Sequence, residues 1–272
     1  MILVAALLTA AALPLLGDRD GPAWETLDEG LELARFGGDP GPITVLRIDP
    51  AVWQTVALAA SALDGTRRTA RQWGEEHGLT AVINAGMYAA DHRTHTGYFR
   101  TGDHVNNPLW NQKDYRQAAC FEPRREGLPR FVLMDLDTHP EETFADDYDV
   151  VVQNLRLIKK PGENRWPPRD RRWSEACLGE DGSGRMLWIF SRAPHAMHAW
   201  NERLLALPID LVAAQHLEGG PEAQLWIAPA GVETMGSYET GFLEDESNLA
   251  AWPVPNVLGI RKRPAAGSGP AG

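Results

Sequence analysis

The chain has 272 residues, enough for one large domain or two small ones. An apolar fraction of 43% and a charged fraction of 23% are ordinary for a globular protein, and the net charge of −11 argues against nucleic acid as the main partner. A local basic patch stays compatible with an anionic substrate, so phosphate chemistry is not excluded.

Met1 to Leu16 (MILVAALLTAAALPLL) is uncharged and apolar. It is short for a bilayer span and fits the apolar region of a secretory signal peptide, without the basic segment that usually precedes one. Residues 1–17 are therefore read as a signal peptide, and an extracytoplasmic location, periplasmic or secreted, is expected. An N-terminal core helix is the other reading. No later apolar stretch is long enough to cross a bilayer, so an integral membrane protein is not expected. Cys120 and Cys177 lie in apolar runs and read as a disulfide or as two buried thiols.

Ile43 to Asp49 alternates as a strand closed by Pro50, and Thr55 to Ala59 is a second candidate. Thr69 to His77 reads as a short helix ended by Gly78. Thr80 to Asn84 is a third strand, running into Ala85-Gly86-Met87-Tyr88. Gly97 to Arg100, Ala118 to Glu122 and Arg130 to Met134 are short strands of a meander. Tyr148 to Ile158 reads as one strand carrying Gln153 and Asn154, and Pro161 to Arg172 as an exposed loop rich in Pro, Arg and Trp. Cys177 to Gly179 and Arg185 to Ser191 flank Glu180-Asp181-Gly182-Ser183-Gly184, a hairpin signal. Pro194 to Leu207 has Met197, Trp200, Leu204 and Leu207 at helical spacing, with a first-turn proline and Pro208 as the stop. A strand then ends at Glu218, followed by Gly219-Gly220-Pro221 and a further strand at Leu225 to Ala228. Gly231 to Pro255 reads as loop with acidic clusters, and Asn256 to Ile260 as the last strand. Strands in hairpins with few helices imply an α+β fold: a single domain over residues 24–262 with a mixed, mostly antiparallel sheet and a few packed helices. Residues 263–272 read as a disordered tail.

Several segments can carry chemistry. Asn84 and Glu218 each follow an apolar strand and precede glycine, and are expected to share one sheet edge if their strands are neighbours. The plainer readings are an Asn capping its own turn and an acid facing water. Arg171-Arg172-Trp173-Ser174-Glu175 sets cations and a carboxylate beside a strand, with Arg172 a candidate anion contact. Ser191-Arg192-Ala193-Pro194-His195 is expected to end a strand at a helix N-terminus, where an anion is favoured and His195 can transfer protons. Asp91-His92-Arg93-Thr94-His95 has no helix to align its histidines, so it is not read as a metal site.

Four segments in this order, Asn84-Ala85-Gly86-Met87-Tyr88, Gln153-Asn154-Leu155, Glu175-Ala176-Cys177-Leu178-Gly179 and Leu217-Glu218-Gly219-Gly220, resemble the phosphodiester glycosidase domain family. Glu218 stands where many members have Asp, and Glu175 where many have Arg, with Arg171 or Arg172 as displaced substitutes. The resemblance implies an exported hydrolase of glycosyl phosphodiesters with a sugar-phosphate or glycan substrate. It implies Glu218 as base, nucleophile or electrostatic partner, and Glu175 or His195 as proton donor. Arg172 and Arg192 would hold phosphate, Asn84 and Gln153 would orient hydroxyls, and Tyr88 would stack on the sugar. Gly86, Asn154, Ser191, Gly219 and Gly220 complete the expected binding set. No cofactor is expected, with a divalent metal left open. The alternatives are a non-catalytic binder of cell-envelope glycans on the same scaffold, and a structural envelope protein in which Glu175 and Glu218 would point to separate surfaces.

Overall fold

The computed structural model describes residues 23–264. The signal-peptide reading of residues 1–17 lies outside them, as does nearly all of the tail at 263–272. Three antiparallel sheets share one core.

The eight-stranded sheet runs, in spatial order, Glu25–Asp28, Leu31–Phe36, Ile43–Ile48, Met186–Ala196, Arg172–Asp181, Leu211–Gly219, Arg156–Lys159 and Glu163–Asn164. A five-stranded sheet runs His104–Asn107, Phe99–Thr101, Tyr148–Asn154, Gln117–Pro123 and Phe131–Asp135. A second five-stranded sheet runs Val232–Met235, Gln224–Ile227, Ala81–Asn84, Asn256–Lys262 and Trp53–Ala59. Every strand pairing among the described residues is antiparallel, so the expected mixed sheet gives way to three antiparallel ones.

Side chains alternate between faces along a strand, and here both faces are apolar. Ala176, Leu178, Leu46, Trp188 and Leu217 point into the shared core, where they meet Phe121, Val152, Ile83, Leu225 and Leu258 of the other two sheets. Burying each such Leu or Ile contributes about 1.5–3 kcal/mol. The opposite residues Val45, Cys177, Leu187 and Ile189 pack under the helix Met197–Ala206 through Met197, Trp200 and Leu204. The helix Ala70–His77 covers Val82 and Val257 with Trp73. Its ends follow local chemistry: Thr69 and Gln72 form a capping box, and Gly78 closes it at φ 62°. Cys120 and Cys177 are both buried free thiols.

Val232–Met235 and Glu163–Asn164 are strands paired at sheet edges inside segments read as loop, and two further elements differ from the sequence reading. The single strand expected over Tyr148 to Ile158 is two strands in different sheets. Asn154 Oδ1 accepts the Leu155 N–H at 2.7 Å, which takes that donor from the ladder and turns the chain between sheets. The helix expected from Pro194 begins at Met197, because the strand Met186–Ala196 continues through Pro194 and His195. Trp173 pairs with His195 and Glu175 with Ser191, so the register shifts between them and Pro194 falls where no ladder N–H is required. The anion-binding helix N-terminus expected after Ser191-Arg192 is therefore not built there.

Gly86 sits at φ 143°, and a Cβ there would lie 2.3 Å from His95 Nε2 and 2.8 Å from Asn154 Nδ2. Gly86→Ala should therefore destabilise the protein by at least about 2 kcal/mol. That is a fall in Tm of about 4–8 °C in a thermal melt; an unchanged Tm would contradict this packing.

Candidate active site

The strand Leu211–Gly219 carries His216 and Glu218, two residues apart. Its pairing with Arg172–Asp181 slips between Ala176↔Glu218 and Cys177↔His216, so Leu217 is the extra residue of a β-bulge. Bulges re-aim side chains, and here His216 and Glu218 line one cavity of about 170 Å³ with Met87, Leu155, Arg171, Trp173 and Glu239.

Glu218 is only 8% exposed; among the described residues it forms no salt bridge, and its one hydrogen-bond donor is the N–H of Gly219 at 3.1 Å. Burial pushes its carboxyl well above the usual range, and the charges of Glu222, Glu239 and Glu175 add to this against the Gly219 N–H. Glu175 is 0% exposed. Its Oε1 meets His216 Nδ1 at 2.7 Å, and its Oε2 accepts the Trp173 indole N–H at 2.6 Å. Burial raises its pKa, and the His216 and Trp173 contacts oppose the rise. In its carboxylate form Glu175 can only accept, at Oε1 as at Oε2, so His216 then donates from Nδ1 and carries the lone pair on Nε2. Nε2 has no hydrogen-bond partner among the described residues. Glu175 thus meets the cavity through His216, and Glu218 lines that same cavity, so the two acids do not point to separate surfaces.

Gly219 completes the wall: a Cβ on it would lie 2.5 Å from Trp173 Cδ1, so only glycine lets the indole close over the strand end. Gly220 begins the turn Gly220–Glu222. Asn84 and Glu218 belong to different sheets, so the expected shared edge is not formed. Asn84 instead grips that turn: its Nδ2 donates to Glu222 O at 2.9 Å and its Oδ1 accepts the Gln224 N–H at 2.6 Å. Tyr88 is half-buried. Burial and the charges of Glu222 and Glu218 raise its pKa.

The remaining expected residues are engaged elsewhere. Gln153 is fully buried, with Oε1 accepting the Tyr98 and Asn111 N–H groups and Nε2 donating to Asn111 O and Tyr115 O. Asn154 Nδ2 donates to Leu217 O at 3.3 Å, supporting the bulge. Arg192 binds Glu246, Met235 O and Asn248 O. The Arg172 side chain is exposed and outside the cavity lining. His195 meets Ser191 Oγ at 2.9 Å and packs on Trp200 at 4.5 Å. Burial, with Arg203 nearby, lowers its pKa to about 4, and Ser191 donates to Pro42 O. Neither lines the cavity. Asp91 closes its own turn through the Arg93 and Thr94 N–H groups. Among the described residues, no group of three or more His, Cys, Asp or Glu is placed to hold a metal ion.

His216 and Glu239 were not singled out in the sequence. His216 had a signal, since a residue two positions before Glu218 on a strand shares its face. Glu239 had none: it arrives from a loop that bridges to Trp173.

The model of the phosphodiester glycosidase family matches residues 77–261. No curated protein sequence matches the chain. Among solved structures, the chain is similar to the catalytic domain of zebrafish N-acetylglucosamine-1-phosphodiester alpha-N-acetylglucosaminidase, auto-inhibited by its pro-peptide. That match has a TM-score of 0.60 and 10% identity, over 90% of this chain and 87% of that one. A hypothetical protein from Synechocystis matches with a TM-score of 0.60 and 13% identity, over 90% of this chain and 64% of that one. At these identities the likeness is one of fold.

Proposed function

Because this chain belongs to the phosphodiester glycosidase family, we propose that it hydrolyses glycosyl phosphodiesters at the bond between the anomeric carbon and the phosphate oxygen. The observation that carries the reading is Glu218, buried and without an ion-pair partner among the described residues, lining the same cavity as His216, whose Nδ1 is anchored on buried Glu175.

The chemistry divides between these groups. Glu218, kept protonated by burial, gives its proton to the bridging oxygen as the C–O bond breaks, and a phosphate monoester departs. His216 Nε2 takes a proton from the attacking water, whose oxygen bonds to the anomeric carbon. Glu175 holds the ring and balances the imidazolium. The carboxylate left on Glu218 faces the positive charge that builds on the sugar ring. Arg171, at the cavity wall with Glu239 at 3.9 Å as its one ion-pair partner among the described residues, meets the phosphate with a planar pair of donors. A glycan binder would need no buried, unpaired acid beside an oriented histidine.

The apolar leader Met1 to Leu16 supports action outside the cytoplasm. The test is a panel of sugar 1-(methyl phosphate) diesters, assayed with and without chelator. Release of a reducing sugar together with methyl phosphate is expected for at least one member. No turnover across the panel, under both conditions, would contradict the proposal.

A further inference from the structure

We propose that a second chamber, beside the acid cavity, is an aglycone subsite built for a leaving group with a further anionic group on a planar body. This rests on the hydrolase reading of the acid cavity. The chamber has a volume of about 360 Å³ and shares Leu155, Arg171 and Trp173 with that cavity. A substrate whose phosphate meets Arg171 therefore has its sugar on one side and its aglycone on the other.

The chamber inverts the charge of the molecule. The chain carries −11 overall, yet the lining holds five arginines against the single acid Asp114. Three of these cations have carboxylate partners: Arg116 and Arg156 on Asp137, and Arg165 on Glu163. Arg169 has no ion-pair or hydrogen-bond partner among the described residues, and Arg171 reaches only Glu239. Two cations without close partners at one cavity favour an anion. Trp166 and Trp173 supply the flat surfaces, with ring centroids 6.4 Å apart at 64°.

The wall is also pinned. The Trp166 carbonyl lies 2.6 Å from His198 Nδ1, and the Trp166 N–H donates to Asn164 Oδ1 at 3.2 Å. Asn164 is itself held by Asn201 of the helix Met197–Ala206. The arginines on either side of Trp166 thus extend from a fixed base, which lowers the ordering cost of binding.

The probe is phenyl phosphate, followed by tryptophan fluorescence on the full chain. Wild-type protein should bind it, more weakly at high salt, and Arg169→Met and Arg165→Met should each weaken binding by about tenfold or more. In hydrolysis, Arg169→Met should leave kcat/KM for the sugar 1-(methyl phosphate) unchanged. It should lower kcat/KM for the same sugar as its 1-(4-carboxyphenyl phosphate) by about tenfold. Absence of binding by the wild type, binding by both variants as tight as the wild type's, or an unchanged preference between the diesters would overturn the subsite. Turnover of the methyl diester by wild type decides the hydrolase reading separately, because fluorescence reports the chamber whether or not bonds are cleaved.

Discussion

Replacing Glu218 with Gln is expected to lower kcat by about 10²–10⁴-fold, the contribution of a positioned general acid, while the protein folds and melts higher than wild type. Glutamine keeps the shape and the hydrogen bonding of a protonated carboxyl, but it has no proton to give. The stability gain follows from linkage. The folded pKa of Glu218 is raised above its unfolded value by burial and by neighbouring acids. The folded state therefore binds the proton more tightly, and stability is highest below the unfolded pKa. It declines as pH rises from there through the folded pKa. Glu218→Gln removes that decline and should gain about 0.5–2 kcal/mol at neutral pH, about 1–8 °C in Tm. The pH dependence of kcat separates the acid role from a loss of shape. Wild-type activity should fall as pH rises through the raised pKa, and the residual activity of Glu218→Gln should lack that limb. Full activity in the variant would remove Glu218 from the chemistry.

Glu175→Gln is expected to reduce kcat by about 10²–10⁴-fold without touching the substrate. Glu175 is fully buried and accepts from both His216 Nδ1 and the Trp173 indole. A glutamine can accept only through its carbonyl oxygen. With that oxygen on the indole, its NH₂ faces Nδ1 and draws the ring into the other tautomer, with Nε2 protonated and unable to take a proton from water. Glu175 is a positioning residue, so the readout is the split between constants. The variant should lose kcat with KM nearly unchanged, and the tautomer of His216 should switch in its ring ¹⁵N spectrum. A parallel loss of KM and thermal stability, with the tautomer retained, would show that Glu175 only supports the fold.

Much of the strand framework is legible in the sequence because alternating residues report burial directly. Ile43–Ile48 and Gln117–Pro123 lie where the pattern expects strands, and the Glu180 to Gly184 turn joins the long hairpin as its composition predicts. Thr69 and Gly78 bound the first helix at the positions their chemistry implies. The failures come from tertiary choices. The apolar pattern of Tyr148 to Ile158 runs on without a break, and only the Asn154 side chain, bonded to the Leu155 N–H, marks where the chain changes sheets. Met197, Trp200 and Leu204 mark a real helix, but its proline belongs to a strand whose register shift accommodates it. Glu218 was recognisable as an acid at a strand end. Its orientation depends on the bulge at Leu217, which exists only in the pairing with Arg172–Asp181. Asn84 sat in the right neighbourhood for a different reason, since it anchors the turn after Glu218.

The most direct measurement is hydrolysis of a turned-over glycosyl phosphodiester in ¹⁸O-labelled water, with both products analysed by mass. Attack at the anomeric carbon puts the label in the sugar hydroxyl and leaves the phosphate monoester unlabelled, and this is the predicted result. Label in the phosphate would mean that water attacks phosphorus, and would contradict the assignment of Glu218 and His216 to glycosidic bond cleavage.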